Sequence, residues 1–549
     1  MNEYKAQRAI HNAVLDSLSW LDKLPSQKNE ILEKTEKEAL PLMTASNTYN
    51  ATTIGLSYGS SVNQSRFQWR KVVLVLCTVM ILIVGIWAVY RNGYLNQLTP
   101  LDVVSQPGSN NTTPESFPAT VTVKSAQKSQ TQPLDRIDLS VDPDALWNEE
   151  NGILTEGEKI EKTPGLLPFK NAVYREAYDR GISVEGEMTY QSDLGAVLFK
   201  DRISLRLGGD YFSVDMPQKS FQIDALDGAF EFRIFDDRSA DSYPSLLLRN
   251  SGNDCLFTRV ADGVQQRLIE KNTNTHLLTL AWRPVEVYLN GEYWGIYNIR
   301  ESLDAHTICR YEQIPDDMAD SITILQVGGR AEHGNASEYK AMQIKIKNSN
   351  PAENPDDLMY LEQEIDIDSF LDWLAVEMFF GNSDIGTGRI YKVPGGKWKC
   401  LIQDLDYGLF QSDYNAVSSY LKAEGMGAQK IDNIIFRKIL EVDQYKKLFL
   451  TKLGKLYKAL TTEVMQNELD ACVAWIEPGM KAHLERWAPY NDGTIVAEAP
   501  SDPEKAWEYW KQRIDRMRNG TMVKRPWNVY LQTQEFFGLT NQEMAEYFQ

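Results

Sequence analysis

The chain is short of cysteine, with five in 549 residues. Cys77 falls inside an apolar run, and Cys255, Cys309, Cys400 and Cys472 are scattered through the rest. That scatter excludes a disulfide framework and paired zinc ligands; it leaves room for one pairing and favours buried free thiols. Basic residues are also scarce: 57 Lys and Arg face 76 Asp and Glu, a formal charge of −19. A nucleic-acid binder needs a basic stripe to neutralise phosphates, so no nucleic-acid partner is expected. Charge is missing altogether from Val72 to Tyr90.

Those 19 uncharged residues, at a helical rise of 1.5 Å, reach about 28 Å, close to the hydrocarbon thickness of a bilayer. Core helices are usually shorter and flanked by amphipathic sequence. Arg66, Arg70 and Lys71 precede the run and only Arg91 follows closely. The positive-inside rule then predicts a single-pass cell-membrane protein, N-terminus cytoplasmic and main domain extracytoplasmic. The run lies too far from Met1 for a cleaved signal peptide.

Around this span at 71–91 the chain divides into parts. Residues 1–70 form a cytoplasmic segment in which Ile10, Val14, Leu18 and Leu21 share one helical face. That face either binds a partner or has no role. Residues 92–134, rich in Ser, Thr, Gln, Asn and Pro, read as a flexible stalk. Residues 135–549 form the folded domain. Alternation predicts strands at 136–141, 181–190, 196–207, 219–223, 231–235 and 284–289, with a helix at 257–271. Asn290-Gly291 predicts a type I′ hairpin. After Pro355 the pattern turns helical at 358–365, 369–380 and from 433 onward, apart from a short strand pair at 389–392 and 398–403. The expectation is an α+β, two-lobed, kinase-like domain, with a β-rich N-lobe, a helical C-lobe and acidic loops between them, preceded by one transmembrane helix.

The acidic loops carry the chemistry. Ile402-Gln403-Asp404-Leu405-Asp406-Tyr407-Gly408 ends an apolar run in two alternating aspartates and a turn, and Asp384 lies 22 residues before Asp406. Alternation along an extended segment puts both carboxylates on one face. Phosphoryl transfer uses one carboxylate to orient the attacking hydroxyl and others to hold magnesium. The ordinary alternative is a surface turn in which Asp satisfies loop backbone groups. A cation on the β-rich lobe is also needed. Lys219, after Pro217-Gln218 and beside Phe221, is the candidate; the alternative is a solvent-facing lysine on a strand edge. No G-x-G-x-x-G loop accompanies it, which excludes an ordinary eukaryotic-type kinase.

Several motifs in order carry a resemblance: Leu146-Trp147-Asn148-Glu149-Glu150-Asn151-Gly152, Met216-Pro217-Gln218-Lys219-Ser220-Phe221, Leu246 to Asp254, Val285 to Gly295, and the segments at Asp384 and Asp404–Asp406. From about Arg136 to the C-terminus the chain resembles the spore-coat protein H (CotH) kinase family, in the form found on bacterial surface proteins. The resemblance implies an atypical kinase that uses ATP and Mg²⁺ to phosphorylate serine in an unidentified surface or coat protein. By the same resemblance Asp384 is similar to the catalytic aspartate, Asp406 to the metal aspartate, Asp404 to a second ligand, Lys219 to the phosphate-contacting lysine, and Glu301 to a residue at the adenine edge.

One departure stands out. Family members place an asparagine four or five residues after the catalytic aspartate, where Gly388 and Arg389 stand here. Arginine cannot ligate a cation. Arg389 either clamps a nucleotide phosphate directly or leaves the metal site weakened. The 256–268 helix also offers no glutamate to pair Lys219, only Asp262, Gln265 and Gln266. The competing reading is therefore a catalytically impaired pseudokinase or scaffold for envelope or spore-coat assembly. A carbohydrate-active site using Asp384 and Asp406 is weaker, since no aromatic sugar platform accompanies it.

Overall fold

The computed structural model describes residues 134–157, 172–422, 433–493 and 495–549, all within the compact unit Ser116–Gln549. The predicted cytoplasmic helix, the span at 71–91 and nearly all of the stalk lie outside the described residues. Among the described residues no helix is long and apolar enough to cross a membrane.

Seven strands form the first layer: β1 (Asp135–Val141), β2 (Ser183–Gln191), β3 (Val197–Gly208), β4 (Ser220–Ala225), β5 (Ser245–Arg249), β6 (Trp282–Leu289) and β7 (Glu292–Glu301). They close into a barrel in the order β1-β2-β3-β4-β5-β7-β6. The predicted two-lobed kinase layout is therefore corrected: the strands make a closed barrel, and helices pack around it. Closure comes from β1 lying parallel to β6, Asp135 opposite Val285 through Leu139 opposite Leu289. That pairing spans about 150 residues of sequence, and local alternation carries no sign of it. The strand expected at 231–235 is absent; Phe230 makes only an isolated bridge to Tyr243.

Inward alternation fixes the register. Ile137, Leu139, Leu205, Phe221, Ile223, Leu246, Leu248, Val285, Val287 and Ile299 are buried together inside the barrel. Burying each such side chain contributes about 1.5–3 kcal/mol, more than the net 0.5–1.5 kcal/mol or so of a ladder hydrogen bond. A one-residue slip would expose the whole set. The β6–β7 hairpin turns at Asn290 (φ 50°) and Gly291 (φ 82°), as the dipeptide predicts.

The helices that position the site are α1 (Ala261–Asn272), α2 (Ile367–Phe380), α3 (Thr462–Trp487), α4 (Pro503–Asp515) and α5 (Met522–Phe537). A small sheet, β8 (Thr323–Gln326), β9 (Ala331–His333), β10 (Arg389–Lys392) and β11 (Lys399–Leu401), runs in the order β11-β10-β8-β9. Helix α2 is buried on all sides apart from Asp368. Its C-terminal carbonyls are capped by a buried cation, Arg525 of α5, whose Nε donates to the Phe379 carbonyl at 2.8 Å and Nη2 to that of Met378 at 2.5 Å. A guanidinium at a helix C-terminus meets its partial negative charge. Burial nevertheless lowers Arg525 to about 10. The cap fixes where Asn382 and Asp384 emerge.

Candidate functional site

Strand β11 delivers the chain into the acidic turn, and α1 clasps that turn from behind. Asp262 accepts the Leu405 N–H at 2.8 Å, and the Gln265 amide donates to the carbonyls of Leu405 (2.7 Å) and Gly408 (3.3 Å). Asp262 is itself ion-paired with Arg300 of β7, both 4% exposed. Asp262, Gln265 and Gln266 are thus committed elsewhere than to Lys219; Gln266 accepts from the Leu280 N–H at 2.8 Å. Asp404 sits at φ 59°, a left-handed conformation that Asp tolerates better than most residues. The segment is therefore not extended, as alternation predicted.

What brings the two carboxylates together is Arg249, at the end of β5. Its guanidinium donates to both oxygens of Asp406 (3.0 and 2.8 Å) and to Asp404 (3.0 Å). Asp406 also accepts the Asn253 N–H at 2.7 Å. Arg249 is 12% exposed, Asp404 17% and Asp406 2%. Gly252 (φ 54°) makes the approach possible, since a Cβ there would strike both the Arg249 guanidinium and the Asp406 carboxylate.

The third aspartate arrives from α2. Gly381 ends the helix in the left-handed region, and the Asn382 side chain then bridges two loops. Its amide donates to the Asp404 carbonyl at 3.3 Å and its oxygen accepts the Asp384 N–H at 3.0 Å. Asp384 lies close enough for its charge to act on Asp404, Tyr407 and Glu377. The structure thus joins Asp404 and Asp406 under Arg249 and holds the Asp384 backbone beside that turn through Asn382.

The field there is strongly negative. Burial, then Asp406, raise Asp404 to about 7 against the pull of Arg249, with Asp210 and Asp384 adding to the rise. Burial raises Asp254 to about 6. Glu377, on the inner face of α2, is fully buried and burial pushes it to about 8. It lies beside Asn382 without a well-aligned hydrogen bond. Folding therefore binds protons that the unfolded chain has released. For Glu377 the loss of stability begins near its ordinary value of 4.5 and is complete near 8. Glu377→Gln is expected to leave stability unchanged at pH 4 and to raise it at pH 8 by on the order of 1–3 kcal/mol. Urea unfolding at the two pH values tests this; an equal effect at both pH values would refute it.

The other sequence-derived residues lie elsewhere. Lys219, one residue before β4, is 8% exposed, with its ammonium 3.6 Å from the centre of the Tyr174 ring. Burial lowers it to about 7, and the charges acting on it are Asp215, Glu156 and Arg175. None of the three site aspartates is among them. Glu301, at the end of β7, accepts from Arg238 and Arg310 at 3.1 Å each and from the Ala281 N–H at 3.0 Å. Arg389, on β10, is paired with Glu332 at 2.6 Å and with the Thr387 carbonyl. Sequence reasoning missed Arg249, Asn253 and Asn382. Arg249 and Asn253 lie within the Leu246–Asp254 motif, yet nothing local tells which of its polar side chains turns toward a loop 155 residues away.

Among the described residues no three His, Cys, Asp or Glu side chains gather closely enough to hold a metal by themselves. Two carboxylates on one turn, a third whose charge reaches them and one guanidinium bridging the pair make an acidic cluster, suited to a cation or to a phosphate that arrives with one. A family model described as CotH kinase protein matches residues 205–519, more than half of the chain, and spans all of these side chains. The chain belongs to the CotH kinase family. No curated protein matches it. Membership brings a kinase-like function to the barrel-and-helix architecture. Within the matched region lie both Arg249 and the Gly388–Arg389 departure.

Proposed function

We propose that this CotH family member transfers phosphate from ATP to a serine hydroxyl of a protein acceptor. The observation that carries the reading is the meeting of Asp404, Asp406 and Arg249, with the charge of Asp384 reaching Asp404. Magnesium bound with nucleotide needs only one or two protein carboxylates, the remaining ligands being phosphates and water. The oxygen donors of Asp404 and Asp406 suit that requirement, although they do not make a cage on their own. When bound, the metal would neutralise charge on the phosphate oxygens.

The chain's own groups divide the remaining work. Asp384, held by Asn382 through its backbone N–H, orients the serine hydroxyl and accepts its proton as the oxygen attacks phosphorus. Arg249 is the cation placed at the acidic turn to meet phosphate oxygens, by a planar fork suited to them. Lys219 remains the second candidate for that contact. The Asp406–Asn253 and Asp262–Leu405 hydrogen bonds hold the turn rigid, so little ordering is left for the moment of transfer.

A second reading, a non-catalytic scaffold of the same family, is favoured by one observation: Arg249 already engages both carboxylates, and Arg389, paired with Glu332, stands where an asparagine is expected. A thermal-shift titration with ATP, with and without Mg²⁺, and transfer of labelled γ-phosphate to a serine-rich protein separate the two. The kinase reading expects a magnesium-dependent shift and label on serine. A shift without label would leave a nucleotide-binding scaffold, and no shift would reject both nucleotide readings.

A further inference from the structure

A cavity of about 50 Å³ lies where the barrel meets α3 and α4, on a loop wall formed by Cys255, Phe257 and Arg259. At roughly 10–15 Å³ per water it has room for about three to five waters or a molecule of similar size. Its walls are mostly apolar, with Met216, Pro217, Leu256, Met480, Leu484 and Trp510 among them. Most polar groups on the lining are already used. Trp487 donates to the Trp294 carbonyl at 2.8 Å and Trp510 to that of Thr258 at 2.9 Å. The Asn250 amide serves the carbonyls of Ser213 and Gln218, at 3.2 and 2.7 Å.

His483 of α3 differs. It lines the cavity at 2% exposure, and its Nδ1 accepts the Ile296 N–H at 3.1 Å. A ring nitrogen that accepts carries no proton, so the proton of the neutral imidazole is on Nε2. Burial, with Arg259 and Arg486 nearby, keeps the ring neutral by lowering it well below its usual value. Its one hydrogen bond among the described residues is that at Nδ1, which leaves Nε2 on the other ring edge, and Arg259 Nε on the same cavity lining is buried without a partner.

At His483 itself the nearby charges are the cations Arg259 and Arg486, while Asp254 and Asp406 act on the wall at Cys255. Arg259, 5% exposed, donates only to uncharged acceptors: the Cys255 carbonyl (2.9 Å), the Gln218 side chain (3.0 Å) and the Ile296 carbonyl (3.1 Å). Arg486 lies 4.1 Å over the Trp294 ring. Asp254, the carboxylate that acts on Arg259, is turned to Thr258 and the Ala261 N–H. Cys255 is pushed up to about 12 by burial and stays a thiol. A cluster of waters would find few anchors, since each needs two to four polar partners.

We infer that this cavity binds a short-chain monocarboxylate of acetate or propionate size, its oxygen accepting from His483 Nε2 in the field of Arg259 and its alkyl end against the apolar wall. A dianion such as phosphate would lose more hydration than these donors return. The site adjoins the acidic turn, whose Asp406 and Arg249 act on Cys255 of its wall, but does not depend on the kinase reading.

Saturation-transfer NMR of the propionate methyl group, on the full chain at constant ionic strength, tests the assignment. Saturable millimolar binding is expected, with phosphate and chloride failing to compete. His483→Asn keeps an acceptor for the Ile296 N–H and deletes the cavity donor, so affinity should fall at least about tenfold. Ala506→Leu, which fills the lining from α4, should abolish binding while leaving His483 in place. Non-saturable signal, equal competition by chloride, or unchanged affinity in both variants would overturn the proposal.

Discussion

Asp384→Asn is expected to lower phosphate transfer by about 10²–10⁴-fold, the usual worth of a positioned general base, and to leave the ATP-dependent thermal shift intact. Asp406→Asn should remove both. The difference follows from geometry: Asp384 is held at the mouth of α2 by Asn382, while Asp406 is the 2%-exposed carboxylate locked to Arg249 and the Asn253 N–H. Asparagine preserves the volume at either position and can still accept one hydrogen bond. Arg249 retains Asp404, so the stability cost of Asp406→Asn should stay near 1–3 kcal/mol. Urea unfolding, nucleotide thermal shift and labelled-phosphate transfer on the same preparations separate these effects. Wild-type turnover in either folded variant would end the assignment.

Arg249→Met has the larger structural effect. It leaves Asp404 and Asp406 side by side with no cation between them, and removing one partner of a buried pair costs about 3–5 kcal/mol. The sign of the pH dependence is fixed. Asp404 is already raised to about 7 from the ordinary 3.8, and loss of the guanidinium raises it further. The penalty linked to Asp404 is absent below about pH 7, where this carboxyl is protonated in both folded proteins. It then grows until the folded carboxyl titrates. Unfolding at pH 5 and pH 8 should show the variant much closer to wild type at the lower value. Nucleotide binding should vanish in Arg249→Met and persist in Lys219→Met. The reverse result would move the phosphate contact back to Lys219, whose ammonium lies on the Tyr174 ring.

Much of the site was legible because its acidic motifs are local. Asp404 and Asp406 share one turn, and Asp384 directly follows a helix whose end is marked by Gly381. What was illegible depends on partners far apart in the chain. Arg249 follows three leucines in a motif whose polar residues carry no role in the sequence reading, and only the fold shows that it meets carboxylates 155 and 157 residues away. Lys219 reads as a cation on a strand flanked by apolar residues; it stands one residue before that strand and is buried. Whether its ammonium faces the acidic turn or a tyrosine ring depends on how the Val173–Asp179 helix packs, and no local pattern encodes that.

The sequence by itself determined barrel strands β1 to β4 and β6, the hairpin at Asn290-Gly291, the helix before Asp384 and the family, because each follows from short-range periodicity, turn chemistry or ordered motifs. Only the tertiary structure decided that the strands close into a barrel and that one arginine binds two aspartates. Closure required β1 to pair in parallel with β6 across the domain. The ion pairs required β5, α1 and the turn after β11 to converge, and such long-range contacts are fixed by packing of the whole core.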